Sequence, residues 1–190
     1  MHRFKYSTLI ALIGIGQSAW AESDINSGAA AGLPAQARLD IRVAVPRIIF
    51  LRIGTGTNHA DNTTRNRVTF TVLPANLGSG TAVIGTPSAG PIQARVLANG
   101  GNVSFRASGT NGGLASGANR IAWTQIVPSV SGGSLAHPAI GNGAPGAVTT
   151  LVASSGIVDQ SAIYSFGYSN SVPVAAGTYN GRVTYTASLP

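Results

Sequence analysis

The sequence predicts an all-β domain, a sandwich or a barrel of about seven to nine short strands. Segments that alternate apolar and polar residues recur along residues 37–190, and Gly, Pro, Asn or Ser bounds each of them. No stretch of this region keeps a 3.6-residue apolar period, and strong helix formers such as Lys, Glu and Met are nearly absent from it. We therefore expect very little helix.

Residues 1–21 have the three parts of a secretory signal peptide. His2, Arg3 and Lys5 form a basic start, residues 9–15 are apolar, and Ala19-Trp20-Ala21 is a small-x-small cleavage site. The apolar run is shorter than the roughly 20 residues that cross a bilayer, and nothing later in the chain supplies a membrane span. We expect an exported protein that passes through the periplasm and ends at the cell surface or outside the cell.

Residues 22–190 have a length that fits one domain. Residues 22–36 are small and polar without periodicity, so we expect a flexible leader before a single domain at 37–190. The chain contains no cysteine. Burial and β pairing must therefore stabilise the domain in place of disulfides, and thiolate chemistry is excluded.

The charge pattern argues against nucleic acid as a partner. The ten basic residues of 22–190 are all arginines, and subtracting the five acids leaves a net charge of +5. The arginines are spread singly, mostly at polar positions of alternating segments, whereas a nucleic-acid binder clusters them with aromatic residues between them. This distribution favours solvated faces and protected edge strands.

Two segments flank Pro46. Leu39, Ile41, Val43 and Val45 alternate with polar or small residues, which gives residues 37–45 one apolar face. Pro46 cannot donate a backbone hydrogen bond and interrupts the ladder. Residues 47–53 are apolar on both faces, as in a buried strand.

Further strands are predicted to the end of the chain. They cover residues 67–73, 92–97, 102–107, 120–127, 148–152, 162–168 and 178–187. Asn99-Gly100 predicts a tight hairpin turn between the second and third of these. In 67–73 we expect Val68, Phe70 and Val72 to point inward, and in 120–127 we expect Ile121, Trp123 and Val127 on one side.

The aromatic residues favour a core. Tyr164, Phe166 and Tyr168 share one face of their strand, and Tyr179, Val183 and Tyr185 share one face of the last strand. Such a stripe, or Trp123, could line a carbohydrate or peptide groove, but aromatics at period two are more often core.

Few residues could run a reaction. His59 and His137 lie in loop-like segments, and His59 with Asp61 is the sole near pair of metal-ligand types, so we expect solvated histidines and no metal. No Gly-x-Ser-x-Gly elbow occurs, and the five acids, two of them in the leader, do not supply an obvious carboxylate pair. We expect no enzymatic activity, no catalytic residues and no cofactor, which leaves a secreted hydrolase as the weakest alternative.

Segment 37–45 has two possible placements. It can pair within its own domain, or it can pass to a neighbouring copy, where main-chain hydrogen bonds give affinity and alternate side chains give register. A domain that lacks one strand exposes an unpaired edge and part of its core, so it needs a partner to be stable.

The two ends of the domain resemble the pilin subunits of chaperone–usher fimbriae, closest to the cysteine-free alpha-type pilins of the colonisation-factor group. Leu39-Asp40-Ile41-Arg42-Val43-Ala44-Val45-Pro46 followed by Ile48-Ile49-Phe50-Leu51 is similar to that family's donor strand, proline and first domain strand. Ala175-Ala176-Gly177-Thr178-Tyr179-Asn180-Gly181-Arg182-Val183-Thr184-Tyr185-Thr186 is similar to its closing strand. The resemblance covers about 30 residues.

The resemblance implies an incomplete immunoglobulin-like sandwich and a structural role in a surface fimbrium. Leu39, Ile41, Val43 and Val45 would enter the groove of the preceding subunit, and the strand with Tyr179, Val183 and Tyr185 would border the subunit's own groove. Other pilin subunits, a periplasmic chaperone and an outer-membrane usher would be the partners. The alternative is a self-complete secreted domain that binds a ligand or cell-surface polymer through the Gly/Ser-rich stretches 108–119 and 129–147, which are long for hairpin loops.

Overall fold

The computed structural model describes residues 23–28, 32–57 and 65–190. The predicted signal peptide and His59 lie outside these residues. The chain divides into two units, Met1–Val45 and Pro46–Pro190. The described residues of the first unit belong to no helix or strand and are exposed throughout. The unit boundary falls directly after the predicted donor segment 37–45.

The second unit is an all-β sandwich. Its strands, among the described residues, are β1 (Ile49–Ile53), β2 (Val68–Thr69), β3 (Val83–Ile84), β4 (Thr86–Pro87), β5 (Ile92–Ala98), β6 (Val103–Gly109), β7 (Leu114–Ser116), β8 (Asn119–Ile121), β9 (Ile126–Ser131), β10 (Ile140–Asn142), β11 (Thr149–Leu151), β12 (Val158–Tyr168) and β13 (Val183–Ser188). Two 3₁₀ turns, Pro74–Asn76 and Trp123–Gln125, are the helical segments of this part of the chain. The predicted all-β class and low helix content are confirmed.

The first sheet is built around β5 and β12. β1 pairs antiparallel with β5, β5 with β12, and β12 with β9, while the short β3 also pairs with β12. β1 and β9 are therefore its outer strands. Pro128 lies within β9 and lacks a backbone N–H, which suits an edge strand.

The second sheet is built around β6. β13 runs antiparallel along one side of β6, and on the other side β11 pairs antiparallel and β10 parallel. β13 is thus an outer strand of this sheet. Two small antiparallel pairs, β2 with β4 and β7 with β8, complete the unit.

The core lies between the sheets and follows the alternation of the central strands. The main cluster of buried side chains comprises Ile92, Ala94, Val96, Ala98, Val103, Phe105, Leu135, Leu151, Val158, Ala162 and Tyr164. A second cluster comprises Ile121, Trp123, Ile126 and Tyr168. The prediction that the aromatic stripe of β12 and Trp123 belong to the core is confirmed, with Phe166 only partly buried.

Trp123 depends on two glycines and one hydrogen bond. Its indole Nε1 donates to the Thr110 carbonyl over 2.8 Å. A Cβ atom at Gly109 or Gly181 would collide with the indole ring. Glycine at both positions is therefore what lets the ring lie flat against the backbone.

The predicted hairpin at Asn99-Gly100 is wrong, because β5 and β6 belong to different sheets. Both edges of β5 are already occupied by β1 and β12. The Asn99 side chain instead holds the start of β1: its Oδ1 accepts from the Ile48 N–H over 2.7 Å and its Nδ2 donates to the Pro46 carbonyl over 2.8 Å. The connection is a corner between sheets, with the positive φ at Gly101.

The predicted face of residues 120–127 is wrong at its end. Ile121 and Trp123 are buried, but Val127 is exposed and Ile126 is buried in its place. The 3₁₀ turn at Trp123–Gln125 shifts the alternation by one residue. The strand predicted at 67–73 is reduced to β2, although Val68, Phe70 and Val72 do pack against the core as expected.

The two stretches predicted as long surface loops lie largely at the surface, but parts of both form strands. Residues 108–119 contain the end of β6, all of β7 and the start of β8, and residues 129–147 contain the end of β9 and all of β10. Leu135 and Pro138 are fully buried. The glycine-rich composition misled the prediction, because the backbone here passes close to neighbouring strands: Gly133 lies against the Ser161 carbonyl, where a Cβ would collide.

The Asn170 side chain hydrogen-bonds to the loop that follows β2. It is fully buried with φ near 51°, and its Oδ1 accepts from the Gly78 N–H while its Nδ2 donates to the Asn76 carbonyl. Asparagine tolerates this left-handed backbone conformation better than most residues. One side chain thus satisfies two backbone groups of a loop distant in sequence.

Replacing Asn170 with Gly should lower the free energy of unfolding by about 2 kcal/mol, because two backbone groups lose their partner while the backbone conformation stays permitted. Asn170→Ala should cost about 1 kcal/mol more, since alanine resists positive φ. Urea denaturation of both variants measures the difference. A glycine variant as stable as the unmodified chain would show that the two bonds do not contribute.

Candidate functional site

β1 and β13 lie beside one another at one margin of the sandwich, yet no hydrogen bond joins them. Each is an outer strand of its own sheet, and within the described residues each pairs along one edge only. The other edge of each strand leaves a row of backbone N–H and C=O groups without a strand partner. We call this margin, bounded by β1 and β13, the open seam.

The inward side chains of the seam are less buried than their cross-strand partners. Leu51 and Ile53 of β1 are partly exposed, whereas Val96 and Ala94, opposite them on β5, are buried. Tyr185 and Ala187 of β13 are partly exposed, whereas Ala107 and Phe105 of β6 are buried. Because both edge strands show the same deficit on the same side, the core is uncovered along the seam.

Other apolar side chains around the two core clusters are also only partly buried. Val183, Leu189, Val68, Phe70 and Val72 are partly buried side chains that pack against the two core clusters. Of the three predicted groove-edge residues, Val183 and Tyr185 lie in β13 with inward side chains. Tyr179 precedes β13, packs on the second cluster and donates its hydroxyl to the Ala175 carbonyl.

Tyr185 is held at the seam by an aromatic cluster. Its ring stacks on Phe105 with 6.0 Å between centroids, and its hydroxyl is 2.7 Å from His137 Nε2. His137 also contacts the rings of Tyr164 and Phe166 edge-on. Burial raises the pKa of both Tyr164 and Tyr185 well above the ordinary range. Both tyrosines are therefore uncharged at neutral pH.

The prediction that His137 is a solvated loop histidine is wrong. The neighbouring Leu135 and Pro138 are fully buried. The imidazole of His137 between them therefore packs against aromatic rings of β12 and β13. Burial lowers the pKa of His137 to about 4. Its Nδ1 is buried and has no hydrogen-bond partner within the described residues. The imidazole is therefore neutral at pH 7 and packs as part of the core.

The four predicted donor side chains are largely exposed. Leu39, Ile41, Val43 and Val45 are 84%, 82%, 80% and 75% exposed. Their segment forms no strand in the described structure. Four branched apolar side chains on alternate positions thus face water together, which is costly in solution and typical of a segment that binds elsewhere.

The charged residues near the seam belong to the outer face of the first sheet. Arg52 of β1 lies opposite Arg95 of β5. Arg95 donates two hydrogen bonds to Asp159, at 2.9 and 2.8 Å, and these bonds lower the pKa of that carboxyl. Arg52 has no such carboxylate, and its Nε is buried without a hydrogen-bond acceptor in the described part of the chain.

Other features of the described residues offer less chemistry. They contain no group of three His, Cys, Asp or Glu side chains that could hold a metal ion. No helix in them has the length and apolar character needed to cross a membrane. A surface cavity of about 210 Å³ lies near the second core cluster and is lined by Arg120, Ile121, Ala122, Gln125, Tyr168, Val172 and Val174.

Comparison with protein-family models, curated proteins and solved structures finds no match to this chain.

Lowering the pH from about 6.5 to 4 should destabilise the fold through His137. Its pKa is about 4 in the folded chain and 6.5 when solvated, so the unfolded chain binds the proton first and stability is lost as the pH falls. Allowing for partial exposure, we expect about 2 kcal/mol. Urea denaturation at a series of pH values measures this loss.

His137→Gln is the matched control for this pH dependence. Glutamine has no proton to take up in this range, so the variant should show a flatter pH profile between 6.5 and 4 than the unmodified chain. Parallel profiles for the two chains would assign the pH dependence to other groups.

Proposed function

We propose that this protein is a structural subunit of a bacterial surface fimbria and that it polymerises by donating segment 37–45 to the open seam of another copy. The observation that carries the proposal is that one chain holds both halves of such a contact. Among the described residues, segment 37–45 presents an apolar stripe with no strand partner, and β1 and β13 present an apolar core with two unpaired edges.

The dimensions of the two halves agree. At about 3.3 Å per residue, the seven-residue stretch from Leu39 to Val45 is roughly 23 Å long when extended and the six-residue β13 is roughly 20 Å, so the segment is long enough to cover β13. A strand added there would gain backbone hydrogen bonds on its flanks and bury its stripe against Leu51, Ile53, Tyr185 and Ala187. Fully burying each side chain contributes about 1.5–3 kcal/mol, so the contact would be strong.

The start of β1 favours a second copy as the acceptor. The Pro46 carbonyl and the Ile48 N–H are both bonded to the Asn99 side chain. For the segment to pair with β1 of its own copy, the chain would have to reverse its direction between Pro46 and Ile48, the two residues that Asn99 holds. Donation to another copy needs no reversal.

Assembly by strand donation needs helpers before and during polymerisation. An uncovered seam on a single copy is an aggregation hazard. We therefore propose a periplasmic chaperone that covers the seam after export and an outer-membrane usher that exchanges it for the next subunit. Both proteins would recognise the same edges of β1 and β13.

Replacing both Ile41 and Val43 with Asp should abolish multimers and leave a folded monomer, because charged side chains cannot be buried in the seam without a partner. Electrophoresis of unheated and heated samples of the exported chain measures this. Ala44→Asp is the matched control, since residue 44 lies on the opposite face and should leave multimers intact. Loss of the folded monomer in the double variant would place the segment in its own core and contradict the proposal.

Blocking the seam should produce the complementary defect. Ala187→Trp fills the space beside Tyr185, so this chain should donate its segment but not accept one. Mixed with the Ile41→Asp, Val43→Asp chain, which accepts but does not donate, it should form dimers and nothing longer.

Analytical ultracentrifugation of the mixture and of each chain alone measures these species. Val183→Trp offers a second block further along β13 if the first variant fails to fold. Long multimers from any folded chain with a blocked seam would show that the acceptor lies elsewhere.

A further inference from the structure

We infer that Asp40 of the donated strand pairs with Arg52 of the accepting copy and that this ion pair sets the register of donation. The inference rests on the proposed function, because it names a contact that forms only when the seam of one copy receives the strand of another.

The first step is the direction of the side chains. Side chains alternate along a strand, so when Leu39, Ile41, Val43 and Val45 enter the seam, Arg38, Asp40, Arg42 and Ala44 face outward. They then share the outer surface with the outward side chains of the flanking strands, and cross-strand neighbours on one face lie close enough to interact.

The second step is the charge on the flanking strands. The outward residues of β13 are Thr184, Thr186 and Ser188, none of which is charged. Those of β1 are Phe50 and Arg52. Arg52 is therefore the one charged residue that lies within either flanking strand.

The third step is the state of Arg52 in the single copy. It lies directly opposite Arg95, which is an unfavourable pairing of like charges. Among the described residues, the carboxylate beside this pair is Asp159, and it is already engaged by two hydrogen bonds from Arg95. The buried Arg52 Nε has no acceptor among the described residues. An additional carboxylate beside Arg52 would offset both defects.

The fourth step is the charge on the strand itself. Asp40 is the only acidic residue of segment 37–45 and is flanked two residues away by Arg38 and Arg42. A shift of two residues in either direction would place one of these arginines beside Arg52. A shift of one residue would turn the apolar stripe outward. The stripe alone tolerates two-residue shifts, so the ion pair is what selects among them.

A reciprocal charge swap tests the pair. Asp40→Arg and Arg52→Asp each create like charges at the contact, and each should slow the appearance of heat-resistant multimers about fivefold at low salt. The chain with both substitutions restores opposite charges and should recover the rate. Both effects should weaken at high ionic strength, where the pair is screened.

Arg182→Asp is the matched control, because Arg182 lies just before β13 on the other side of the seam. Combined with Asp40→Arg, it should give no recovery. Recovery with Arg182→Asp instead of Arg52→Asp would overturn the inference by assigning the partner to β13. Equal rates for all the charge variants would also overturn it.

These outcomes are separate from a failure of the proposed function. If the unmodified chain forms no heat-resistant multimers, or if the Ile41→Asp, Val43→Asp chain forms them at the normal rate, strand donation itself is refuted. If strand donation is confirmed but the charge variants form multimers at the normal rate, side-chain shape alone sets the register. Circular dichroism of each variant confirms that the comparison is between folded chains.

Discussion

The architecture depends on one constraint: within the part of the chain that the structure describes, β1 and β13 each pair along a single edge, so the core between the two sheets reaches the surface where they meet. The central strands β5, β6 and β12 bury their inward side chains almost completely, as close packing of a small sandwich requires. The inward side chains of β1 and β13 follow the same alternation, but no further strand of the described residues covers them, so they stay partly exposed. The segment that precedes the sandwich carries an exposed apolar stripe, and the proposed donation would bury this stripe in the seam of another copy.

Much of this arrangement follows from periodicity. Alternation predicted the strands that became β5, β6, β11 and β12, and it predicted the inward direction of Tyr164, Phe166 and Tyr168. A run that is apolar on both faces predicted β1 as a buried strand, but β1 is an outer strand and only partly buried. These residues belong to strands whose two faces meet different environments, so the pattern is written directly in the sequence. Alternation also predicted the apolar stripe of segment 37–45, and its four side chains are exposed in the structure.

The errors arose where tertiary contacts replaced local rules. Asn99-Gly100 has the composition of a hairpin turn, but whether two strands share a sheet depends on which edges their other neighbours occupy. The 3₁₀ turn before β9 shifts the alternation by one residue, so Val127 is exposed; the apolar pattern of the sequence does not predict this turn. Residues 129–147 look like a surface loop, and only the packing of Leu135 and His137 under the sheets shows otherwise. The unpaired edges of β1 and β13 were likewise beyond local sequence, because an edge is defined by a strand that is missing.

The opposite edge of the first sheet, strand β9, differs from β1 in its backbone hydrogen-bonding groups. β9 is also an outer strand, but Pro128 removes a donor from the middle of its ladder, so an incoming chain finds an interrupted template there. The two margins of the first sheet therefore differ: among the described residues β1 keeps an unpaired edge, whereas the ladder of β9 is interrupted by proline. Under the proposed donation of segment 37–45 to the seam, copies would form an unbranched line with a direction, in which every joint is the same and the two tips differ.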